Sequence, residues 1–231
     1  MPKAPKVLKV KDIVENEKFK DIHPNLPQMP SLLLIIGSVR SGKSNLIVNL
    51  FLNPEFYAGK FDIVKIISTT LNTDTKGKIL KEHFDCMDHY EDGVIDGIKK
   101  EQSKFPKEER PTFALVLDDV LTKDFSKSNA VSFFSTRFRH YIDMYVIATQ
   151  SFRAVSGMIR NNAQDVIICR QQNQKEKDKI AEEFSDMVGG SDVFMELYDE
   201  IHSKPYQFMY LKLSTNPAEV YRNFEEKLYP K

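Results

Sequence analysis

Along the chain, short continuous apolar runs alternate with segments in which apolar residues recur every three to four positions. Ser31–Ile36, 62–68, 112–117, 144–148 and 165–169 are runs of the first kind, each the length of a buried strand. Residues 43–51, with Leu46, Ile47, Leu50 and Phe51 on one face, and 94–98, with Val94, Ile95 and Ile98, are of the second kind and predict helices. Strands apolar on both faces, alternating with helices, imply a mostly parallel sheet covered on both sides. The spacing also predicts a helix over 174–187, stopped at Gly189-Gly190, a second over 193–201 and a late strand over 207–213. A last amphipathic stretch, with Val220, Phe224 and Leu228 four residues apart, reads as a tail over 214–231. Five prolines in residues 1–30 make that segment an extended arm, so the expected division is arm 1–30, α/β domain 31–213 and tail 214–231.

Composition narrows the class without naming a function. A length of 231 residues suits one α/β domain, and 41% hydrophobic with 29% charged residues excludes a disordered tail or a fibrous repeat. No apolar run approaches the ~20 residues of a bilayer span, and the basic N-terminus lacks the apolar stretch of a secretory signal. Cys86 and Cys169 are then expected as reduced thiols. The five histidines and two cysteines show no zinc-ligand spacing, so no zinc is expected. Lys and Arg (33) balance Asp and Glu (33), so bulk charge gives no argument for a nucleic-acid partner.

The sharpest chemical signal is GSVRSGKS, residues Gly37 to Ser44, which fits G-x-x-x-x-G-K-[ST] between an apolar strand and a helix. Such a loop turns successive backbone N–H groups inward at a helix N-terminus and so forms an anion nest. The expected nucleotide-binding set is Gly37, Ser38, Val39, Arg40, Ser41, Gly42, Lys43, Ser44 and Asn45, with the ligand a nucleoside triphosphate such as ATP. Lys43 is assigned to the β/γ-phosphates and the Ser44 hydroxyl to Mg²⁺. Arg40 is either solvated or directed at a phosphate or a neighbouring subunit.

FALVLDDV, residues 113–120, sets two carboxylates at the end of a buried strand, where a parallel sheet brings strand ends towards the phosphate loop. Asp118 is expected to hold Mg²⁺ and Asp119 to orient or activate the attacking water. A strand-end carboxylate can also be a loop or helix cap; two together, downstream of a phosphate loop, favour hydrolysis. MYVIATQS ends the fourth strand with Gln150. If that strand inserts between the phosphate-loop strand and the Asp118 strand, Gln150 can sense the γ-phosphate, as in the additional-strand class of P-loop ATPases. Ring ATPases also supply an arginine in trans, and Arg137, Arg139, Arg153, Arg160 and Arg170 are the candidates.

The ordered set HPNLPQMPSLLLIIGSVRSGKSNLI, LVLDDV, TRFRHYIDMYVIATQSF and MIRNN resembles the genome-packaging ATPases of large DNA viruses and virophages. That group includes the poxvirus packaging ATPase and belongs to the FtsK–HerA superfamily of DNA translocases. The resemblance covers about residues 23–170. It assigns Lys43, Ser44, Asp118, Asp119 and Gln150 the roles given above. It also singles out Arg139 and Arg160 as catalytic arginines, the former as the trans finger. Two departures are Val39-Arg40 for the common Thr-Gly, and Asp119 where many members have Glu. The resemblance implies a homo-oligomeric ring, pentamer or hexamer, that threads double-stranded DNA into a preformed capsid. It further implies capsid or portal-vertex partners, location in a cytoplasmic viral factory or the virion, and no membrane association.

DNA contacts are expected, if anywhere, from Lys123, Lys127 and the lysines of residues 3–20, while Phe133 and Phe134 read as core. Two alternatives are a nucleotide or nucleoside kinase and a nucleotide-dependent assembly protein. The first should carry an arginine-rich lid, yet residues 71–110 hold only Arg110; the acid pair argues against the second.

Overall fold

A computed structural model describes residues 17–73, 75–91, 93–120 and 129–230. Its strands are β1 (Ser31–Ile36), β2 (Ile63–Ser68), β3 (Asp85–Met87), β4 (Phe113–Asp118), β5 (Met144–Thr149), β6 (Asp165–Ile168), β7 (Met209–Lys212), β8 (Glu219–Arg222) and β9 (Glu226–Tyr229). They form one sheet in the order β3-β2-β4-β5-β1-β6-β7-β8-β9. The first six of that order are mutually parallel and the last three join antiparallel. This is the expected α/β sheet, and β5 lies between β1 and β4, the additional-strand arrangement.

Alternate residues of the continuous apolar runs serve two cores. Leu32, Leu34 and Ile36 of β1, Leu115 and Leu117 of β4, and Tyr145 and Ile147 of β5 face one side. There they meet α3 (Gly93–Gln102), α4 (Asn129–Arg137), α5 (Gly157–Asn162), α6 (Gln174–Phe184) and α7 (Ser191–Ile201). Leu33, Ile35, Ala114, Val116, Val146 and Ala148 face the other side, against α1 (Lys43–Leu52) and α2 (Thr75–His83). A strand buried on both faces has no polar alternation, which is why its sequence reads as an unbroken run. Within α1 the buried positions include Leu46, Ile47, Leu50 and Phe51, the stripe read from the sequence. Asn173 caps α6 by accepting from Lys175 N at 2.9 Å. The helix tightens into a 3-10 turn at Ser185–Val188 and stops at Gly189, φ 95°.

Residues 17–30 of the arm lie on the second core, with Ile22 and Leu26 buried. Residues 1–16 lie outside the described residues. The expected C-terminal tail is corrected: its residues build β8 and β9 and extend the sheet. The four-residue spacing of Val220, Phe224 and Leu228 comes from a hairpin, whose tight turn at Asn223 (φ 56°) puts Val220 in one core and Phe224 in the other. Phe134 is buried as expected, whereas Phe133, on the outer side of α4, is exposed. Cys86 in β3 and Cys169 after β6 are free thiols. Five strand spacings separate them, about 24 Å, too far to pair. No helix among the described residues is long and apolar enough to cross a membrane.

Candidate active site

The parallel strands end on one edge, where the phosphate loop, Asp119 and Gln150 converge. β1 passes into the phosphate loop at Gly37, whose N–H donates to Thr149 O of β5 at 3.1 Å. A Cβ at Gly37 would stand 2.4 Å from Ser41 Oγ and 2.6 Å from Cys169 Cβ, so close approach demands glycine here. Gly42 is needed for a different reason: its φ of 108° lies in the left-handed region. Arg40 is also left-handed, φ 59°, and its side chain is exposed. Ser38 ties the loop to the strand beside it. Its N–H donates to Arg170 O at 3.2 Å, its Oγ donates to Gln171 Oε1 at 3.0 Å, and the same Oγ accepts from Gln172 N at 2.9 Å.

Helix α1 starts at Lys43 directly after Gly42, and no side chain caps it. Its first-turn N–H groups are therefore available to an anion in the cleft. The Lys43 side chain is buried, and Nζ donates to Gly37 O at 2.7 Å and Ser38 O at 3.3 Å. The ammonium is thus held inside the curve of the loop. Cys169 packs behind it, its thiol pushed up to about 11 by burial, against the opposing pull of Lys43 and the Ser41 hydroxyl. It is a neutral packing residue.

The acid pair stands across from the loop. Asp118 is buried, and its Oδ2 accepts from Ser68 Oγ of β2 at 2.8 Å. Asp119 leaves β4 with φ 51°, a conformation that Asp tolerates better than most residues, and its N–H donates to Ala148 O at 2.9 Å. That turn directs its carboxylate to Gln150, whose Nε2 donates to Asp119 Oδ2 at 2.8 Å. Glu176 was not singled out by the sequence. From the first turn of α6 its carboxylate accepts from Ser151 Oγ (3.0 Å), Phe152 N (2.7 Å) and Arg153 N (3.4 Å), fixing the backbone that follows Gln150. An acidic residue in a helix's first turn is too common to be read as a site.

Lys43, Ser44, Asn45, Asp119 and Gln150 line one cleft of about 1210 Å³ that runs along the sheet edge. The two arginines lie elsewhere. Arg160 is engaged within its own protomer, pairing with Glu183 at 3.2 Å, donating to Val155 O at 3.1 Å and lying 5.2 Å over the Phe152 ring. Arg139 is exposed, with its guanidinium 5.8 Å from the Phe138 ring. It precedes β5 and so sits at the opposite end of that strand, roughly 20 Å of strand from the cleft. Among the described residues no three His, Cys, Asp or Glu side chains gather as a metal site. Lys123, Lys127 and the lysines before residue 17 lie outside the described residues. Lys18 pairs with Asp62 at 2.6 Å and Lys20 with Glu17.

No family model matches the chain. The uncharacterized protein 088R of Invertebrate iridescent virus 3 is 25% identical over 206 residues, 87% of this chain and 75% of that protein. B204, the DNA-packaging ATPase from Sulfolobus turreted icosahedral virus, superposes with a TM-score of 0.58 at 18% identity, over 84% of this chain and 98% of that one. The genome packaging NTPase B204 from Sulfolobus turreted icosahedral virus 2, in complex with ATP-γS, gives 0.55 at 16%, over 84% and 98%. ATPases 2 and 3 of EssC from Geobacillus thermodenitrificans give 0.50 at 15%, over 65% of this chain and 34% of that one. The likeness at these identities is one of fold: the chain shares the fold of the B204 packaging ATPases and of the EssC ATPases.

Proposed function

We propose that the chain hydrolyses ATP and uses the energy to move double-stranded DNA into a viral capsid as a subunit of a ring. The observation that carries this reading is the Asp119–Gln150 pair opposite the phosphate loop, on strands that flank and include the additional strand. A nucleotide switch needs only the loop. An acidic group fixed by a polar strand-end amide, facing that loop, is arranged to orient a water for in-line attack on the γ-phosphate. In this reading Lys43 leaves its loop carbonyls for the β/γ-phosphates, and the first-turn N–H groups of α1 hold the phosphate chain. Gln150 then exchanges its bond to Asp119 for one to the γ-phosphate, so that sensing and water activation share one contact.

The donors Ser44 and Asp118 are a hydroxyl and a carboxylate, an oxygen set that fits Mg²⁺ held jointly with substrate phosphates. When bound, Mg²⁺ supplies charge neutralisation on the phosphate oxygens. Packaging and DNA come to this proposal from B204, a DNA-packaging ATPase of the same fold. The kinase alternative gains no support, because Arg110 is turned to the Phe105 and His140 carbonyls rather than to the cleft. The test is the ATPase rate with and without duplex DNA of arbitrary sequence. Stimulation by DNA, lost in Lys43→Ala and Asp119→Asn, is expected. Phosphate transfer to a nucleoside with no response to DNA would overturn the proposal.

A further inference from the structure

The cleft does not end at the phosphate loop. Asp119 and Gln150 line it on one side; on the other it runs past Gly42 to a wall that the phosphate chemistry leaves without a task. Three segments meet there: the residues before β7, the β8–β9 turn and the arm before β1. Phe224, in that turn, is the centre of the wall, its ring 5.1 Å from Phe208 and 5.7 Å from Phe56, both edge-on. Backbone contacts fix it further. Asn25 Nδ2 donates to Phe224 O at 2.8 Å, Asn223 N donates to Phe208 O at 2.9 Å, and Phe208 N donates to Asn223 Oδ1 at 3.2 Å. Asn223 Nδ2 has no hydrogen-bond partner among the described residues.

Tyr206 stands at the mouth of this arm. It is 77% exposed, and a Cβ at Gly42 would lie 3.7 Å from its Cδ1, which puts its ring over the junction of loop and helix. Its φ of 62° lies in the left-handed region, an outlier for an aromatic residue. A wet aromatic ring on a strained backbone gains nothing from the protein's own core, but a flat ligand would cover it.

We infer that this arm is the nucleobase site, where Tyr206 stacks on the base of the bound nucleoside triphosphate. The inference rests on the phosphate-loop reading and extends it. If the γ-phosphate points to Asp119 and Gln150, the nucleoside end of the chain points the other way, past Gly42 to Tyr206. The edge-on aromatic wall of Phe208 and Phe224 excludes water from one side of the base. Asn223 Nδ2 supplies a donor for one of its ring acceptors. Stacking of this kind depends on the π face and tolerates any base.

The experiment compares a non-hydrolysable ATP analogue with inorganic tripolyphosphate, each with Mg²⁺, by calorimetry on the full chain. Tyr206→Ala should weaken the analogue about tenfold or more and leave tripolyphosphate unchanged. If the variant keeps wild-type affinity for both ligands, or loses both together, the base does not sit on Tyr206 and the assignment falls, with the phosphate loop intact. If wild-type protein binds neither ligand, the phosphate-loop reading fails and takes this one with it. The chain has no tryptophan, so Tyr206→Trp adds a separate readout. The analogue should quench the new fluorescence and tripolyphosphate should not; an equal response to both would overturn the assignment.

Discussion

Asp119 combines backbone strain with its proposed role at the attacking water, and two substitutions separate them. Asparagine tolerates the left-handed region nearly as well as aspartate, whereas alanine there costs roughly 1–2 kcal/mol. Asp119→Asn should therefore keep its melting temperature and nucleotide affinity while ATP hydrolysis falls about 10²–10⁴-fold. Asp119→Ala should be equally inactive and melt several degrees lower; equal melting curves would show that the turn carries no strain. Asp165 is a second residue whose behaviour follows from its surroundings. It is buried, accepts from Ser31 Oγ at 2.7 Å and Tyr210 OH at 2.6 Å, and is pushed up to about 6 by burial, partly offset by those bonds and by Lys212. The folded protein thus binds a proton that the unfolded chain releases between about pH 4 and 6. The stability this group contributes is present below its unfolded value and lost as the pH rises through its folded one. In Asp165→Asn that loss disappears, so between urea melts at pH 4.5 and at pH 7 the stability difference should move in favour of the variant by about 2 kcal/mol. Parallel profiles would contradict it.

At the scale of elements, the segment from β6 into α6 holds two parts of the site at once. Gln171 and Gln172 grip Ser38 of the loop, and Glu176 grips Ser151 and Phe152 behind Gln150. Truncating Glu176 should loosen the backbone behind Gln150 and leave the loop alone. For Glu176→Ala we expect kcat to fall on the order of tenfold with KM for ATP little changed, since a misplaced group costs rate before it costs binding. A matching rise in KM would instead mean that the whole edge had moved. The elements that position the candidate site were legible because both of their patterns are strong. β1, β4 and β5 are continuous apolar runs, and each ends in polar residues whose chemistry identifies the edge. The missed elements lack such a signal. β3 is three residues, Asp85–Met87, with none of them buried, so it has no run to read. β8 and β9 alternate weakly, and their tight hairpin spaces Val220, Phe224 and Leu228 like one face of a helix. Glu176 and Tyr206 were illegible for another reason: each acts on a segment distant in sequence, and only the fold brings them together.

At the scale of the molecule, the zero net charge poses a question of distribution rather than of total. Affinity for duplex DNA comes largely from neutralised phosphates, but a motor that releases its track at every step can use weak contacts repeated around a ring. Assembly is the prior question, and Arg139 bears on it. It is exposed and lies at the end of β5 away from its own cleft, so any role at a γ-phosphate must be played on a neighbour. Arg160, held by Glu183 and Val155 O, has no such freedom in this arrangement. A head-to-tail interface in a closed ring would bring each Arg139 towards the next subunit's cleft. Arg139→Ala should then bind nucleotide normally and lose turnover by about 10³-fold or more. Its cleft remains whole, whereas Asp119→Asn keeps its arginine and loses its own cleft. Random mixing of the two in equal amounts pairs an intact cleft with an intact arginine at about a quarter of the interfaces. Partial recovery of ATPase activity on mixing, absent from either protein alone, is the expected outcome. Rings that assemble from the mixture and stay inactive would remove Arg139 from the chemistry and leave it as an ordinary surface cation.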